Sequence, residues 1–182
     1  MTPVRSRLRA GLANWAREED GHAAVAFALI FPLFFVLFVS AFEIGLFTVR
    51  QTILERAVDV TVRAIRLGQM PNPDHDTIKA MICDNAPSLS TCNDTLKISL
   101  ERVSTTTWAM PATQLQCTNR SEPLNPVGQV DPDPQAPQVL MIMRVCLTAD
   151  AMFPGTGFGA SLQKDGQGGY YMNAMTAFLN EP

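Results

Sequence analysis

Two histidines and four cysteines are the side chains best suited to chemistry in this sequence, and neither set is spaced for catalysis. His22 stands at the start of an apolar run and His75 follows Pro73-Asp74, so neither has an evident nucleophile or triad partner. Cys83, Cys92, Cys117 and Cys146 include no C-x-x-C pair, which makes zinc a poor reading and disulfides the better one. Four cysteines allow three connectivities. The preferred one joins Cys83 to Cys92, closing a short loop, and Cys117 to Cys146, tying an irregular region to a strand. The run Gly155-Thr156-Gly157-Phe158-Gly159-Ala160 satisfies G-x-G-x-x-A, but no helix is expected after it to present an N-terminus to a pyrophosphate. It reads as a flexible connection. With no G-x-S-x-G and no Walker loop, the expectation is a protein that is not an enzyme and holds no cofactor or metal.

The element that must position everything else begins at Gly21. From Ala23 to Phe42 no side chain is charged, and about twenty apolar residues at about 1.5 Å each match a hydrocarbon core of about 30 Å. Pro32 lies inside this span, where it removes a backbone donor and predicts a kink. From Ile53 the pattern turns amphipathic, with Ile53, Ala57, Val60, Ala64 and Leu67 opposite Glu55, Arg56, Asp59, Arg63 and Arg66. One helix on the order of 65 Å long is therefore expected to leave the bilayer and become the spine of a soluble domain. Glu43 is the only acid near the span and reads as marking its outer interface.

At 182 residues the chain has room for that span and one soluble domain. Its net charge of -3, without a basic stripe beyond the membrane flank, argues against nucleic acid. Arg5, Arg7, Arg9 and Arg17 precede the span, so the positive-inside tendency keeps the N-terminus cytoplasmic and sends the rest across. All four cysteines then lie on the translocated side, where an oxidising compartment lets them pair. The domain organisation expected is a cytoplasmic leader over 1–21, a transmembrane helix over 22–46 and an extracytoplasmic domain over 47–182.

The spine ends near Gly68, and Pro71-Asn72-Pro73-Asp74 is a clear break. Asp74 can cap a short helix through about Asp84. Leu96 to Val103 alternates like a half-buried strand, as does part of Val139 to Thr148, and Tyr170 to Leu179 is a third candidate. Three antiparallel strands against one long helix make an α+β fold stabilised by disulfides. Between the first two strands, Ser121 to Pro137 is crowded with proline and acid and reads as an exposed, semi-extended loop. The sequons Asn93-Asp94-Thr95 and Asn119-Arg120-Ser121 matter only in a glycosylating host.

Gly21 followed by Ala23-Ala24-Val25-Ala26-Phe27-Ala28-Leu29-Ile30-Phe31-Pro32, then Phe42-Glu43-Ile44-Gly45 and Val49-Arg50-Gln51-Thr52-Ile53-Leu54-Glu55-Arg56-Ala57, resembles a known family. These residues look like the cleavage site and helix of the TadE/TadF-like pseudopilins of the tight-adherence (Flp) type IV pilus system. The likeness covers roughly Arg17 to Gly68. It implies cleavage by a prepilin peptidase at the Gly21–His22 bond and a pilin-like fold. It also implies lateral packing of the mature helix, through Val25, Phe27 and Phe31, onto other pilin-like subunits in the lipid of the bacterial inner membrane. Its partners would then be that peptidase, those subunits and the platform of the pilus machine, with the soluble domain in the periplasm.

One position departs from the family pattern. Where the family carries a glutamate, five residues into the mature chain, this sequence has Ala26. That glutamate is thought to offset the terminal ammonium of a neighbouring subunit in a low-dielectric bundle. Its loss fits a minor, tip or initiating subunit better than a repeating one. Two other readings stay open: export with cleavage after Val39-Ser40-Ala41, and a signal-anchored periplasmic enzyme or receptor unrelated to pili.

Overall fold

The charge-free run that begins at His22 folds as the first part of one α-helix, α1 (His22–Arg66), in a computed structural model. The structure describes residues 22–70, 73–110, 115–123, 128–131, 133, 136, 138–162 and 164–180. Pro32 lies inside α1, whose helical assignment passes through it without interruption. The helix stops where Gly68 adopts φ +65°, a left-handed conformation that costs glycine little. Gly68 N–H then donates to the Ile65 carbonyl at 3.0 Å and Gln69 N–H to that of Ala64 at 2.9 Å, satisfying the last turn.

The chain divides into two units, Met1–Val39 and Ser40–Pro182, and α1 contributes to both. In the first unit, Val25, Phe27, Leu29, Ile30 and Phe31 are exposed. The second unit is α+β. Its elements in order are the rest of α1, α2 (His75–Asp84), α3 (Cys92–Thr95), β1 (Lys97–Arg102), β2 (Leu140–Asp150), α4 (Gly157–Ser161) and β3 (Gly169–Leu179). The strands form one antiparallel sheet in the order β1-β2-β3, with Ile98 opposite Val145 and Val145 opposite Ala174.

The face of α1 that enters the core differs from the expected one. Leu54, Ala57, Val58, Thr61, Val62, Ala64 and Ile65 are buried, whereas Val60 and Leu67 are more than 40 % exposed and Ile53 is only half-buried. The true stripe includes a threonine. Thr61 fits because its hydroxyl donates back to the Ala57 carbonyl at 2.9 Å, so no polar atom is left stranded against the sheet. Opposite it, Ile98, Leu100, Met141, Met143, Val145, Leu147, Tyr170, Met172 and Phe178 complete one continuous core.

Asp74 caps α2 through a reciprocal pair: its carboxylate accepts Thr77 N–H at 2.8 Å while its own N–H donates to Thr77 Oγ1 at 3.0 Å. Ile78, Ile82 and Cys83 face the core from this helix. The disulfide Cys83–Cys92 links α2 to α3, and Cys117–Cys146 fastens the 115–123 segment to β2. The Thr118 hydroxyl donates to the Thr95 carbonyl and the Thr148 hydroxyl to the Thr118 carbonyl, so this segment is fixed through side chains and backbone alike.

The proline-rich stretch after Ser121 is not simply an exposed loop. Val130 pairs in parallel with Leu100; Leu100 N–H donates to the Gln129 carbonyl at 2.7 Å and Asp131 N–H to the Leu100 carbonyl at 2.8 Å. The outer edge of β1 is thereby occupied at its middle, at Leu100, which helps an edge strand avoid pairing with other chains. Gly128 makes the approach possible, since a Cβ there would lie 1.6 Å from the Ile98 carbonyl oxygen.

Candidate functional site

The site with functional content is α1 itself, and its two parts differ in what surrounds them. In the first unit His22 is the first helical residue described, and Gly21 and the residues before it lie outside the described residues. Val25 is 61 % and Phe27 63 % exposed, so both are free to meet lipid or another helix. Phe27 stacks on Phe31 at 4.8 Å between ring centres, and Phe31 on Phe35 at 5.9 Å. Spacing at i, i+4 makes this ladder, which lays three aromatic rings along one side of the helix. Ala26 is exposed as well and offers no charge. α1 is long and apolar enough to cross a membrane.

In the second unit, α1 is fastened to the head by polar groups, among them Glu43. Glu43 is only 1 % exposed. Its two carboxylate oxygens accept Met152 N–H at 3.2 Å and Phe153 N–H at 3.1 Å, so Glu43 is buried and holds the turn after β2. Three residues earlier, Ser40 Oγ accepts Phe158 N–H at 3.3 Å. Further along, Arg50 Nη1 donates to the Asp150 carbonyl and to the Tyr170 hydroxyl, and Gln51 Nε2 donates to the Asn173 carbonyl. Phe42 meets Phe153 and Phe47 meets both Phe158 and Tyr170 edge-on or tilted.

The strongest electrostatic cluster is structural. Arg120 Nε donates to Asp165 Oδ2 at 2.6 Å and its Nη2 to Asp150 Oδ1 at 2.6 Å. The Asp165 side chain is fully buried and also accepts Gly169 and Gln167 N–H groups. Burial pushes the Asp165 carboxyl up, but Arg120 and these amides outweigh it and hold the group below the usual carboxylate range. The same contacts raise Arg120, first through Asp165 and then Asp150. All three charges serve to tie the 115–123 segment to the β2–β3 connection.

The residues considered for other chemistry are used differently. His75 opens α2 with Nδ1 at 3.1 Å from its neighbour Asp76. The glycine-rich run, which reads in sequence as a flexible connection with no helix, instead forms the single turn of α4, Gly157–Ser161. That turn is bonded to α1 through one amide, Phe158 N–H, which donates to Ser40 Oγ. Among the described residues no group of three or more His, Cys, Asp or Glu side chains is arranged to hold a metal ion. Asn119 is occupied, its Oδ1 accepting from Ser121 and Gly166 and its Nδ2 donating to Glu122.

Sequence signals pointed to Gly21, His22, Val25, Phe27 and Phe31, and the four described members of that set lie on one helix end. Ser40, Glu43 and Arg50, which carry the head, are not legible as anchors, because their partners lie 100 or more positions away. Comparison with known proteins adds one finding. A family model described as TadE-like protein matches residues 21–63, the stretch that resembles that family in sequence. No curated protein and no solved structure matches it.

Proposed function

Proceeding from the TadE-like character of residues 21–63, we propose that the chain is a minor pilin-like subunit that takes part in assembling or initiating a Flp-type pilus. Its mechanism is insertion of α1 in the inner membrane with the N-terminus cytoplasmic, cleavage by a prepilin peptidase between Gly21 and His22, and lateral packing of the mature helix onto other pilin-like helices. The observation that carries this reading is the pairing, on one helix, of a largely exposed apolar first part with a second part locked into a disulfide-bonded head. Such a helix anchors and presents; its head is held rigidly enough to be moved with it.

Val25, Phe27 and Phe31 form the lateral contact. In lipid the hydrophobic effect does not drive helices together, so van der Waals packing of such side chains decides the partner. Ala26 leaves the neighbour's terminal ammonium without a counter-charge, which suits a subunit used once or a few times rather than repeated along a filament. A photo-crosslinking residue at Phe31 in cells assembling the pilus tests the proposal. Adducts to another pilin-like subunit or to the membrane platform are expected; adducts to lipid alone would overturn it.

A further inference from the structure

The loop between β2 and β3 is tied to α1 lower than the sheet is. Its hydrogen bonds to α1 fall at Ser40 and Glu43, while those of the strands fall at Arg50 and Gln51, nearly two turns further along. Counted from Ala23, about twenty residues fill a hydrocarbon core, which brings Ser40 to Glu43 to the bilayer boundary if α1 spans it. A loop bonded to those residues reaches the same level.

Its composition suits that level. From Ala151 to Gln163 there is no charged residue, and the stretch reads Ala-Met-Phe-Pro-Gly-Thr-Gly-Phe-Gly-Ala-Ser-Leu-Gln. Met152 is 55 % exposed, and beside it on α1 Phe42 and Ile44 are nearly half exposed. The first charge after the loop is Lys164, whose ammonium donates to the Pro154 carbonyl at 2.6 Å and so lies against the loop rather than away from it. Apolar side chains with a lysine at their rim are the pattern of a segment seated at the lipid headgroups.

We propose that the Ala151–Leu162 loop is a second membrane contact, seated in the headgroup region of the bilayer that α1 crosses, with Met152 toward the acyl chains and Lys164 toward the lipid phosphates. The loop sets the height of the head above the membrane, and Glu43 is the residue that positions it. Lipid, rather than a protein, is the occupant because the loop continues the boundary at which α1 emerges and carries no charge with which to choose a protein partner. The proposal rests on α1 spanning the bilayer, and the test separates the two.

The full chain, with both disulfides formed, is reconstituted at low density in vesicles of phosphatidylethanolamine and phosphatidylglycerol, carrying an environment-sensitive dye on a single introduced cysteine. Met152→Cys and Pro154→Cys report the loop, Phe34→Cys the span, and Val60→Cys a water-exposed position on α1 roughly 26 Å beyond Glu43. The dye at Met152 and Pro154 should show blue-shifted emission, lose quenching by iodide, and gain quenching by spin labels carried near the lipid headgroup, with Val60 showing none of these. Water-like emission at Met152 and Pro154 with Phe34 in lipid would overturn the loop contact and leave the span intact. Water-like emission at Phe34 too would overturn both. Protection of the loop that appears only at high protein density would also overturn the proposal, by assigning the loop to a protein neighbour.

Discussion

The Glu43 carboxylate accepts the Phe153 amide at 3.1 Å, joining a residue of the long helix to one 110 positions later. Together with the Met152 amide this buried acid determines where the chain turns after β2. Glu43→Ala removes two hydrogen bonds to a charged acceptor and should cost about 2–3 kcal/mol of the head's stability. Glu43→Gln keeps one acceptor oxygen and should cost less. Amide hydrogen exchange would show the loss locally, with protection falling at Met152 and Phe153 before the sheet is affected.

Gly128→Ala should detach the strip that covers β1. The added Cβ meets the Ile98 carbonyl, a backbone atom that cannot swing aside. A loss of about 1–3 kcal/mol is expected, with faster exchange at the Leu100 and Asp131 amides. Exposure of the β1 edge should also raise the tendency to aggregate, measured by light scattering on heating.

Acid should weaken the head through Asp165. Its folded pKa lies below the ordinary carboxylate value, so the unfolded chain binds the proton more readily. The stabilisation is complete above about pH 4–5, where the unfolded group is already ionised, and is lost as pH falls through the folded value. Asp131 adds in the same sense; burial raises it, but Arg102 and the Asp133 amide hold it low. Removing the partner with Arg120→Ala leaves a buried carboxylate with only its amide donors, costing about 3 kcal/mol at neutral pH. In that variant the acid transition, followed by circular dichroism, should begin at a higher pH.

The two disulfides should contribute unequally. Cys117–Cys146 spans 29 positions and Cys83–Cys92 spans 9. Loop-closure entropy gives about 3.6 kcal/mol for the longer and about 2.6 kcal/mol for the shorter. Paired Cys→Ser replacement should therefore destabilise the head more when Cys117 and Cys146 are removed, as read from denaturation midpoints.

Much of this architecture is legible in the residues alone. The membrane-capable helix shows as a charge-free run, α2 as a proline break followed by the capping Asp74, β1 and β2 as alternation near Ile98 and Val145, and β3 as the stretch from Tyr170 to Leu179. What the sequence hides has identifiable causes. The phase of α1 was misjudged because Thr61 belongs to the buried stripe and Val60 does not, and only its bond to the Ala57 carbonyl makes a threonine acceptable there. The edge cover at Val130 was concealed by a composition of proline and aspartate that argues against strand interiors but allows a single bridge. The anchoring role of Glu43 is hidden because a carboxylate whose partners are distant amides leaves no pattern nearby.

The reading of α1 as a processed, laterally packing pilin-like helix is tested most directly by the N-terminal residue of the mature protein extracted from its membrane. Cleavage by a prepilin peptidase predicts His22 as that residue, and Gly21→Arg should block its appearance. A mature chain beginning at Phe42, or one retaining Met1, would contradict the account.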